Sequence, residues 1–365
     1  MSPQVQPTAT DGRVPLIRAG GDPFDVGYQH GAARAAALRE FLDDGLCRIN
    51  KLTPEPTSLS ALGPELDKYS RAIASATPAL TEELAGLASG AGITADEAML
   101  LQVRREIIGY RKVPARGDCT TYASLTAGPA KTAVLAQTVD LNGNLDDQLA
   151  VLDLKLSGSR RRALVLSFGG QLGYLGINSD GLAIGLNLVL GGTWHPGLPP
   201  YLAIRHLLDT ASSVAEALDV LATLPLASSR SLTFCDPGSL ACVEILGDQL
   251  RVTAFAGQSA HTNHYLHPDF AAADELNVFA RNFSEQRLRA CEAGLASLAE
   301  LPAGAGAEEH MALLCQPNVC VAGNHDIRRE RTVAAVVMLP SRGELHLRPG
   351  NPSASSTVTY RIPLS

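Results

Sequence analysis

Cys119 is the residue whose type and position most directly suggest chemistry. It stands in the segment Gly117-Asp118-Cys119-Thr120, where the predicted elements change from helices to strands. A thiolate is a strong nucleophile once a base has removed its proton. If the Asp118–Cys119 bond were cut, the new α-amine of Cys119, with an ordinary pKa of about 7.7–8.0, would lie beside the sulfur as a proton shuttle. The sequence therefore predicts a chain that is made as one piece and works as two, residues 1–118 and 119–365.

Two residues of this region allow both a catalytic and a structural interpretation. Cys119 could be an ordinary buried cysteine at the start of a strand, since cysteine outside disulfides is among the most buried residue types. Asp140 ends the strand that is predicted to pair with the Cys119 strand, and its carboxylate could hold the α-ammonium or orient a substrate. Asp140 could equally be a turn aspartate before Asn142. On the residues alone, both alternatives stay open.

Three histidines could suggest a metal site. His261, His264 and His267 follow one another at intervals of three. No neighbouring cysteine or glutamate completes a ligand set, and Cys315 and Cys320 have no second cysteine pair at zinc spacing. The sequence therefore predicts no metal.

Composition excludes several classes of function. The 365 residues are 45% hydrophobic and 18% charged, as expected for a compact globular enzyme. The formal charge of −7 argues against a nucleic-acid partner, and no apolar run approaches the roughly 20 residues that span a bilayer. The N-terminal residues are polar, so no secretory signal is predicted. Seven irregularly spaced cysteines indicate a reducing compartment, and we expect a cytoplasmic protein without a membrane partner.

The elements that must position these residues follow from hydrophobic periodicity. The predicted helices cover residues 24–50, 65–76, 79–88, 94–110, 200–210, 214–224, 284–298 and 307–314. The predicted strands cover residues 119–125, 132–140, 149–156, 163–168, 174–178, 182–187, 231–235, 241–246, 249–255, 332–339 and 344–347. Residues 1–15 are predicted as a loose tail and residues 52–64 as a loop. Helix layers around antiparallel sheets predict an α+β sandwich.

Five segments follow one another along the chain: Gly21-Asp22-Pro23-Phe24-Asp25-Val26-Gly27-Tyr28-Gln29-His30-Gly31, Asp118-Cys119-Thr120-Thr121, Gln137-Thr138-Val139-Asp140, Leu175-Gly176-Ile177-Asn178-Ser179-Asp180-Gly181 and His261-Thr262-Asn263-His264. In order and in spacing, they resemble the penicillin acyltransferase family of N-terminal nucleophile hydrolases, which includes isopenicillin N acyltransferase and carcinine hydrolase-like enzymes. The resemblance covers nearly the whole chain. It implies a four-layer αββα sandwich that cleaves itself before Cys119.

The resemblance also implies roles for residues around the nucleophile. Asn263 matches an oxyanion donor, a role for which its side-chain NH₂ is suited. The alternative is that Asn263 and the neighbouring histidines cap a strand end. Arg104 and Glu106 match the family pattern, where they would brace the cleavage site or pair across the helix surface. The candidates for binding the substrate are Tyr122, Asn178, Asn187 and His264.

Two positions depart from the family pattern. Family members carry glycine directly before the cysteine, whereas this chain carries Asp118. A residue with a side chain reaches a strained peptide less easily than glycine does, so cleavage is expected to be less efficient. The penicillin enzyme carries an arginine where this chain has Val321. The loss of that cation predicts a different and less anionic substrate.

The sequence thus predicts a self-processing amidase or acyltransferase that acts on a linear amide C–N bond. Cys119 attacks, its α-amine moves the proton, and Asn263 with backbone amides holds the oxyanion. The expected partners are a small-molecule amide or acyl donor and the two segments of the same precursor. No cofactor is predicted, because the glycine pairs at 169–170 and 191–192 fit structural turns better than a phosphate loop. Two alternatives remain: an uncleaved cysteine hydrolase with a histidine base such as His264, and a ligand-binding protein without activity.

Overall fold

The computed structural model of the protein describes residues 14–109, 119–125, 132–301, 305–323 and 325–364. Asp118, on one side of the predicted cleavage bond, lies outside the described residues. The helices are α1 (Pro23–Asp43), α2 (Ile49–Leu52), α3 (Leu59–Ala76), α4 (Pro78–Ala91), α5 (Ala95–Ile108), α6 (Pro200–Thr210), α7 (Val214–Leu221), α8 (Pro268–Ala271), α9 (Val278–Ala299) and α10 (Ala307–Leu314). In this part of the chain, no helix is both long and apolar enough to cross a membrane.

The strands form two sheets. They are β1 (Leu16–Gly21), β2 (Thr120–Leu125), β3 (Ala133–Leu141), β4 (Leu149–Leu156), β5 (Ala163–Phe168), β6 (Leu175–Asn178), β7 (Ala183–Leu188), β8 (Arg230–Cys235), β9 (Leu240–Leu246), β10 (Gln249–Ala254), β11 (Gln258–His261), β12 (Arg331–Leu339), β13 (Glu344–Pro349) and β14 (Val358–Arg361). The first sheet has the order β1-β4-β5-β6-β7-β8-β9-β10, and the second has the order β11-β2-β3-β12-β13-β14.

The two sheets lie face to face between two layers of helices. Strands β2 and β3 contact β7 and β8 across the interior, α1 and α6 cover the first sheet, and α9 and α10 cover the second. Strands that are covered on both faces need apolar residues at nearly every position. In β12, all but the first residue are buried. The architecture is the αββα sandwich that the sequence predicts.

The segment before Cys119 is built into the first sheet. Strand β1 pairs in parallel with β4, so that Leu16 lies opposite Val151 and Gly21 opposite Leu156. Most of the predicted loose tail, residues 1–13, lies outside the described residues, and the strand that follows at Leu16 was not indicated by the sequence pattern. A parallel partner so far along the chain leaves no local signal, because parallel strands need a long crossover connection.

Helices α1 and α4 pack at unusually close range. A Cβ atom placed on Gly27 would lie 1.9 Å from the carbonyl oxygen of Glu83, and one on Gly86 would lie 2.0 Å from that of Phe24. Both distances are far shorter than any van der Waals contact. Glycine at these positions therefore sets the separation of the two helices, which carry part of the first helical layer.

Several predicted boundaries are wrong. The predicted helix over residues 24–50 ends at Asp43, because Gly45, Leu46, Cys47 and Arg48 all have positive φ angles that an α-helix excludes. The predicted loop over residues 52–64 contains the start of α3. Its N-cap Ser58 accepts a hydrogen bond from the Ala61 N–H and starts the helix before Pro64. The predicted capping box is confirmed, since Thr94 and Glu97 make both of its hydrogen bonds at the start of α5.

Candidate active site

Cys119 lies directly before β2 and is buried, with 2% of its surface exposed. Strand β2 pairs antiparallel with β3, and Thr120 lies opposite Thr138. The start of β2 therefore meets the end of β3, as the sequence predicts. The backbone N–H of Asp140 donates to the Cys119 sulfur at 3.4 Å, and the Tyr174 hydroxyl lies 3.9 Å from the same sulfur. The Cys119 S–H in turn donates to the Asp140 carbonyl at 4.0 Å, so the same residue offers a donor to the sulfur and an acceptor to its proton.

The Asp140 carboxylate is held by hydroxyl groups from two strands. Thr138 donates to Oδ2 at 3.2 Å, and Thr332 of β12 donates to Oδ1 at 2.6 Å. Thr332 lies opposite Asp140 in the sheet, and it also accepts the N–H of Val321 at 2.8 Å. Asp140 is fully buried. The structure therefore places Asp140 beside Cys119 with a fixed orientation, while its catalytic role stays a prediction.

The backbone carbonyl of Cys119 is held from two other layers. Asn187 of β7 donates its Nδ2 to this oxygen at 2.7 Å, and Arg287 of α9 donates Nη1 at 3.1 Å. The same Arg287 nitrogen bonds to the Thr120 hydroxyl at 2.9 Å. Asn187 and Arg287 are both fully buried. The first sheet and the outer helix layer thus fix the backbone of Cys119.

Asn263 is linked to Cys119 through Arg287, which donates both to the Cys119 carbonyl and to the Asn263 side chain. Strand β11, which pairs with β2, ends at His261, so Asn263 follows close to the start of β2 and to Cys119. Its Oδ1 accepts a hydrogen bond from Arg287, and its Nδ2 donates to the Leu188 carbonyl at 2.9 Å. An amide NH₂ has two N–H donors. The geometry leaves the oxyanion role of Asn263 a prediction.

His264 lies next to Asn263 but hydrogen-bonds elsewhere. Its Nδ1 pairs with the Ser284 hydroxyl at 2.8 Å, and no hydrogen bond joins it to Cys119 among the described residues. Burial lowers the pKa of His264. His261 bonds to Glu244 at 2.8 Å, and His267 caps α8. The groups that they bond to overlap, because Glu244 also accepts the backbone N–H of His267 at 2.7 Å and Thr262 contacts the rings of both His261 and His264.

Two of the predicted substrate-binding residues lie away from Cys119. Tyr122 points to the opposite face of β2, because side chains alternate along a strand. Its hydroxyl bonds to His310 and its ring packs in the outer helix layer. Asn178 lies at the far end of β6, where its amide bonds to the carbonyls of Leu208 and Ala211. Tyr122 and Asn178 therefore hold the fold together in this structure.

Arg104 and Glu106 of α5 have different surroundings. Glu106 accepts from the Ser228 hydroxyl at 2.9 Å and lies 3.4 Å from Arg230, and burial raises its pKa. It therefore ties α5 to the first sheet instead of pairing across the helix surface. Arg104 donates Nε to the Cys47 carbonyl at 2.7 Å. Arg104 also lines a cavity beside the nucleophile.

That cavity has aromatic walls and polar ends. Tyr174 stacks on Tyr201 with ring centroids 5.1 Å apart and meets Phe168 edge-on at 5.0 Å. Tyr174 belongs both to the wall of this cavity and to the surroundings of Cys119, since its hydroxyl lies 3.9 Å from the Cys119 sulfur. Its further lining residues are Phe41, Leu101, Arg104, Arg105, Leu141, Asn142, Leu145 and Gln171.

Three residues of this site escaped the sequence analysis, namely Tyr174, Thr332 and Arg287. Arg287 had a detectable signal, since it lies on the apolar stripe of α9 with Ser284 and Cys291 at helical spacing. A buried arginine needs polar or charged partners for its guanidinium group, so an arginine on this stripe indicates a polar site beneath the helix. Tyr174 and Thr332 had no such signal, because tyrosine and threonine are ordinary strand residues.

Comparison with known proteins adds the family evidence. The family model described as "Acyl-coenzyme A:6-aminopenicillanic acid acyl-transferase" matches residues 127–354. The chain is 28% identical over 268 residues to the 40 kDa form of acyl-coenzyme A:6-aminopenicillanic-acid-acyltransferase from Emericella nidulans, which covers 72% of this chain and 73% of that protein.

Solved structures with a similar arrangement include two amide hydrolases. Penicillin V acylase from Agrobacterium tumefaciens is 16% identical, covers 66% of this chain and 86% of its own, and has a TM-score of 0.46. The N-acylethanolamine-hydrolyzing acid amidase orthologue from Caenorhabditis elegans is 15% identical, covers 67% of this chain and 100% of its own, and also has a TM-score of 0.46.

Proposed function

The chain belongs to the acyl-coenzyme A:6-aminopenicillanic acid acyl-transferase family, whose model matches more than half of its length, and we propose that it is a self-processing cysteine amidohydrolase or acyltransferase that acts on a linear amide bond. The observation that carries the proposal is the environment of the Cys119 sulfur. It is buried at the start of β2, receives the Asp140 N–H and lies beside the Tyr174 hydroxyl. A merely structural cysteine would not need a polar cluster drawn from both sheets and a helix.

Processing is the first step of the proposal. The Cys119 sulfur attacks the Asp118 carbonyl carbon, the C–N bond between the two residues breaks, and the departing nitrogen takes a proton to become the α-amine. The acyl group is then a thioester on sulfur. Water attacks this thioester, which releases residues 1–118 with a new carboxylate at Asp118 and restores the thiol. The new α-amine can accept a proton, whereas the amide nitrogen before cleavage could not. Cleavage therefore creates the base.

Turnover repeats this chemistry on the substrate. The α-amine takes the thiol proton, and the thiolate attacks the amide carbonyl to give a tetrahedral oxyanion. Asn263 and backbone N–H groups donate to that oxyanion. When the intermediate collapses, the ammonium gives its proton to the leaving amine and an acyl-thioester remains. Water or a second amine then takes the acyl group.

The surrounding residues serve this chemistry by position. Asn187 and Arg287 fix the Cys119 carbonyl, and Arg287 also fixes the Asn263 side chain. The Asp140 carboxylate, held by two threonines, would bind the α-ammonium and keep the proton within reach of the sulfur. Holding reacting groups in one geometry supplies much of the rate of such reactions.

The proposal is tested by trapping the acyl-enzyme. The protein is mixed with 4-nitrophenyl phenylacetate, quenched in acid and mapped by peptide mass spectrometry. We expect one phenylacetyl group on residue 119, whether on sulfur or on the adjacent amine after migration. Cys291→Ala is the matched control, since Cys291 is fully buried in the outer apolar cluster, and it should still label. Labelling confined to the partly exposed Cys315 or Cys320, with residue 119 unmodified, would contradict the proposal.

A further inference from the structure

A cavity of about 330 Å³ lies on the outer face of the second sheet, where it is lined by residues of β2, β3, β11, α9 and α10. Sites for small molecules have volumes of about 300–1,000 Å³. Ser124 of β2 lines this outer cavity, whereas Thr121 faces the first sheet and donates to the Leu186 carbonyl at 3.5 Å, because side chains alternate along a strand. The Cys119 sulfur also lies toward the first sheet, 3.9 Å from the Tyr174 hydroxyl. The outer cavity is therefore separated from that sulfur by the second sheet.

The wall of the outer cavity is mainly apolar. Val134 of β3 forms one side, and Leu295, Leu298 and Ala299 of α9 form another. None of the described residues that line it is aspartate, glutamate, lysine or arginine. An ion would therefore lose its hydration there without gaining an opposite charge from these residues. The wall fits a neutral apolar body.

His310 of α10 is the buried polar group of this wall, with 3% of its surface exposed. Its Nδ1 lies 3.2 Å from the Tyr122 hydroxyl, which also donates to the His310 backbone carbonyl at 3.1 Å. Nε2, the other ring nitrogen, makes no hydrogen bond to the residues that the structure describes. The protein thus holds the ring by one nitrogen and leaves the other for a ligand.

The contacts of Tyr122 decide which ring nitrogen carries the proton. Burial lowers the pKa of His310 to about 4, so the ring is neutral at neutral pH. Burial also raises the pKa of Tyr122 well above its usual value, so the phenol keeps its proton. A backbone carbonyl can only accept, so the phenol donates to it and receives the Nδ1–H of the ring. Because a neutral imidazole carries a single N–H, Nε2 is left as an acceptor.

We propose that the outer cavity binds a neutral apolar molecule that carries a hydroxyl group, and that this hydroxyl donates to Nε2 of His310. The apolar wall contacts the body of the molecule, and Ser124 and Gln258 line the cavity as further polar groups. The inference is independent of the chemistry of Cys119, since the second sheet lies between the two sites. The ligand nevertheless contacts β2, the strand that begins directly after Cys119.

The test compares two probes with the same ring system, 2-naphthol and 2-fluoronaphthalene, of which only the first can donate a hydrogen bond. Equilibrium dialysis gives the Kd of each probe for the wild type and for His310→Leu. The ratio of the two Kd values should favour 2-naphthol about 3–10-fold more in the wild type than in the variant, as for one neutral hydrogen bond. The different hydrophobicity of the probes cancels in this comparison. In the variant, Tyr122 can still donate to the backbone carbonyl of residue 310.

Two further variants assign the binding to the outer cavity. Ser124→Phe places a ring in this space and should weaken the binding of both probes by about tenfold or more, which is a loss of about 1.4 kcal/mol. His195→Leu is the matched control for loss of a histidine, since His195 is partly exposed and lies near Asp248, and it should keep both wild-type Kd values.

Three results would overturn the inference. They are no saturable binding of 2-naphthol to the wild type, the same ratio of Kd values in His310→Leu as in the wild type, and unchanged binding of both probes to folded Ser124→Phe. If Ser124→Phe does not fold, the ratio measured in His310→Leu still decides.

Discussion

At the scale of single residues, Cys119 is positioned by contacts from several elements. The sulfur of Cys119 accepts the Asp140 N–H of β3, and the Cys119 carbonyl accepts hydrogen bonds from Asn187 of β7 and Arg287 of α9. The carboxylate of Asp140 accepts a hydrogen bond from the Thr332 hydroxyl of β12. Few of these contacts are local in sequence. The chemistry of Cys119 should therefore be sensitive to side chains that never touch the substrate.

Thr332 tests this dependence. Thr332→Val removes the 2.6 Å hydrogen bond to Asp140 and leaves a buried carboxylate without one of its donors. A hydrogen bond to a charged group stabilises that group by about 1.5–3 kcal/mol. We expect kcat/KM to fall by about tenfold or more, measured on any amide that the wild type turns over. Thr332→Ser keeps the hydroxyl and should stay within a few-fold of the wild type. Wild-type rates in Thr332→Val would show that the orientation of Asp140 is unimportant.

The limits of sequence reasoning at this scale are physical. Cys119 and Asp140 were predictable as neighbours, because adjacent strands joined by a short connection pair with each other. Arg287 was not, since it is separated from Cys119 by 168 positions and only tertiary packing brings them together. The role of Tyr122 in substrate binding stays a prediction, although strand alternation turns its ring to the outer face of β2.

At the scale of elements, the helical layer over the first sheet depends on the close approach of α1 and α4. The sequence predicted both helices but not their separation, because glycine within a helix ordinarily indicates only lower helix stability and not a close contact with another helix. In the structure, the glycines are required by contacts with backbone atoms of the facing helix. The same segment that resembles the family, residues 21–31, thus has a packing role at Gly27.

Gly27 gives a prediction for stability. Gly27→Ala would place a methyl group 1.9 Å from the Glu83 carbonyl, so the helices must separate. Overpacking of this kind costs about 1–3 kcal/mol or more. Gly257→Ala between β10 and β11 is the control, since no atom outside its chain neighbours lies within 4 Å of the position that its methyl group would occupy, and it should change the free energy of unfolding by no more than about 0.5 kcal/mol. Urea unfolding followed by circular dichroism measures both, and a midpoint in Gly27→Ala at or above the wild type would contradict this packing account.

At the scale of the whole molecule, buried polar groups make stability depend on pH. Burial, with the nearby Arg34 and Arg205, lowers the pKa of His30 to about 3. Neither ring nitrogen of His30 has a hydrogen-bond partner among the described residues. In the unfolded chain the pKa is about 6.5, so between pH 6.5 and 3 the unfolded state binds the extra proton. The stability that is present above pH 6.5 is therefore lost as the pH falls through this window.

His30→Leu tests the size of this effect. Protonation of His30 in the unfolded state lowers the free energy of unfolding by about 1.4 kcal/mol for each pH unit below 6.5. Between pH 7 and pH 5 this amounts to about 2 kcal/mol. The variant lacks the titrating group, so its loss over the same interval should be smaller by about that amount. Urea titrations at both pH values give the four free energies that are needed. An identical pH dependence in the two proteins would show that His30 is not buried as a neutral ring.

The central claim is that Cys119 becomes an N-terminal nucleophile by cutting the chain before itself. Intact-protein mass spectrometry of the wild type beside Cys119→Ala tests it most directly. The account predicts two chains in the wild type, residues 1–118 and 119–365, and one uncut chain of 365 residues in the variant. A single intact mass in both proteins would contradict it, and would return the base to a histidine or the whole chain to a ligand-binding role.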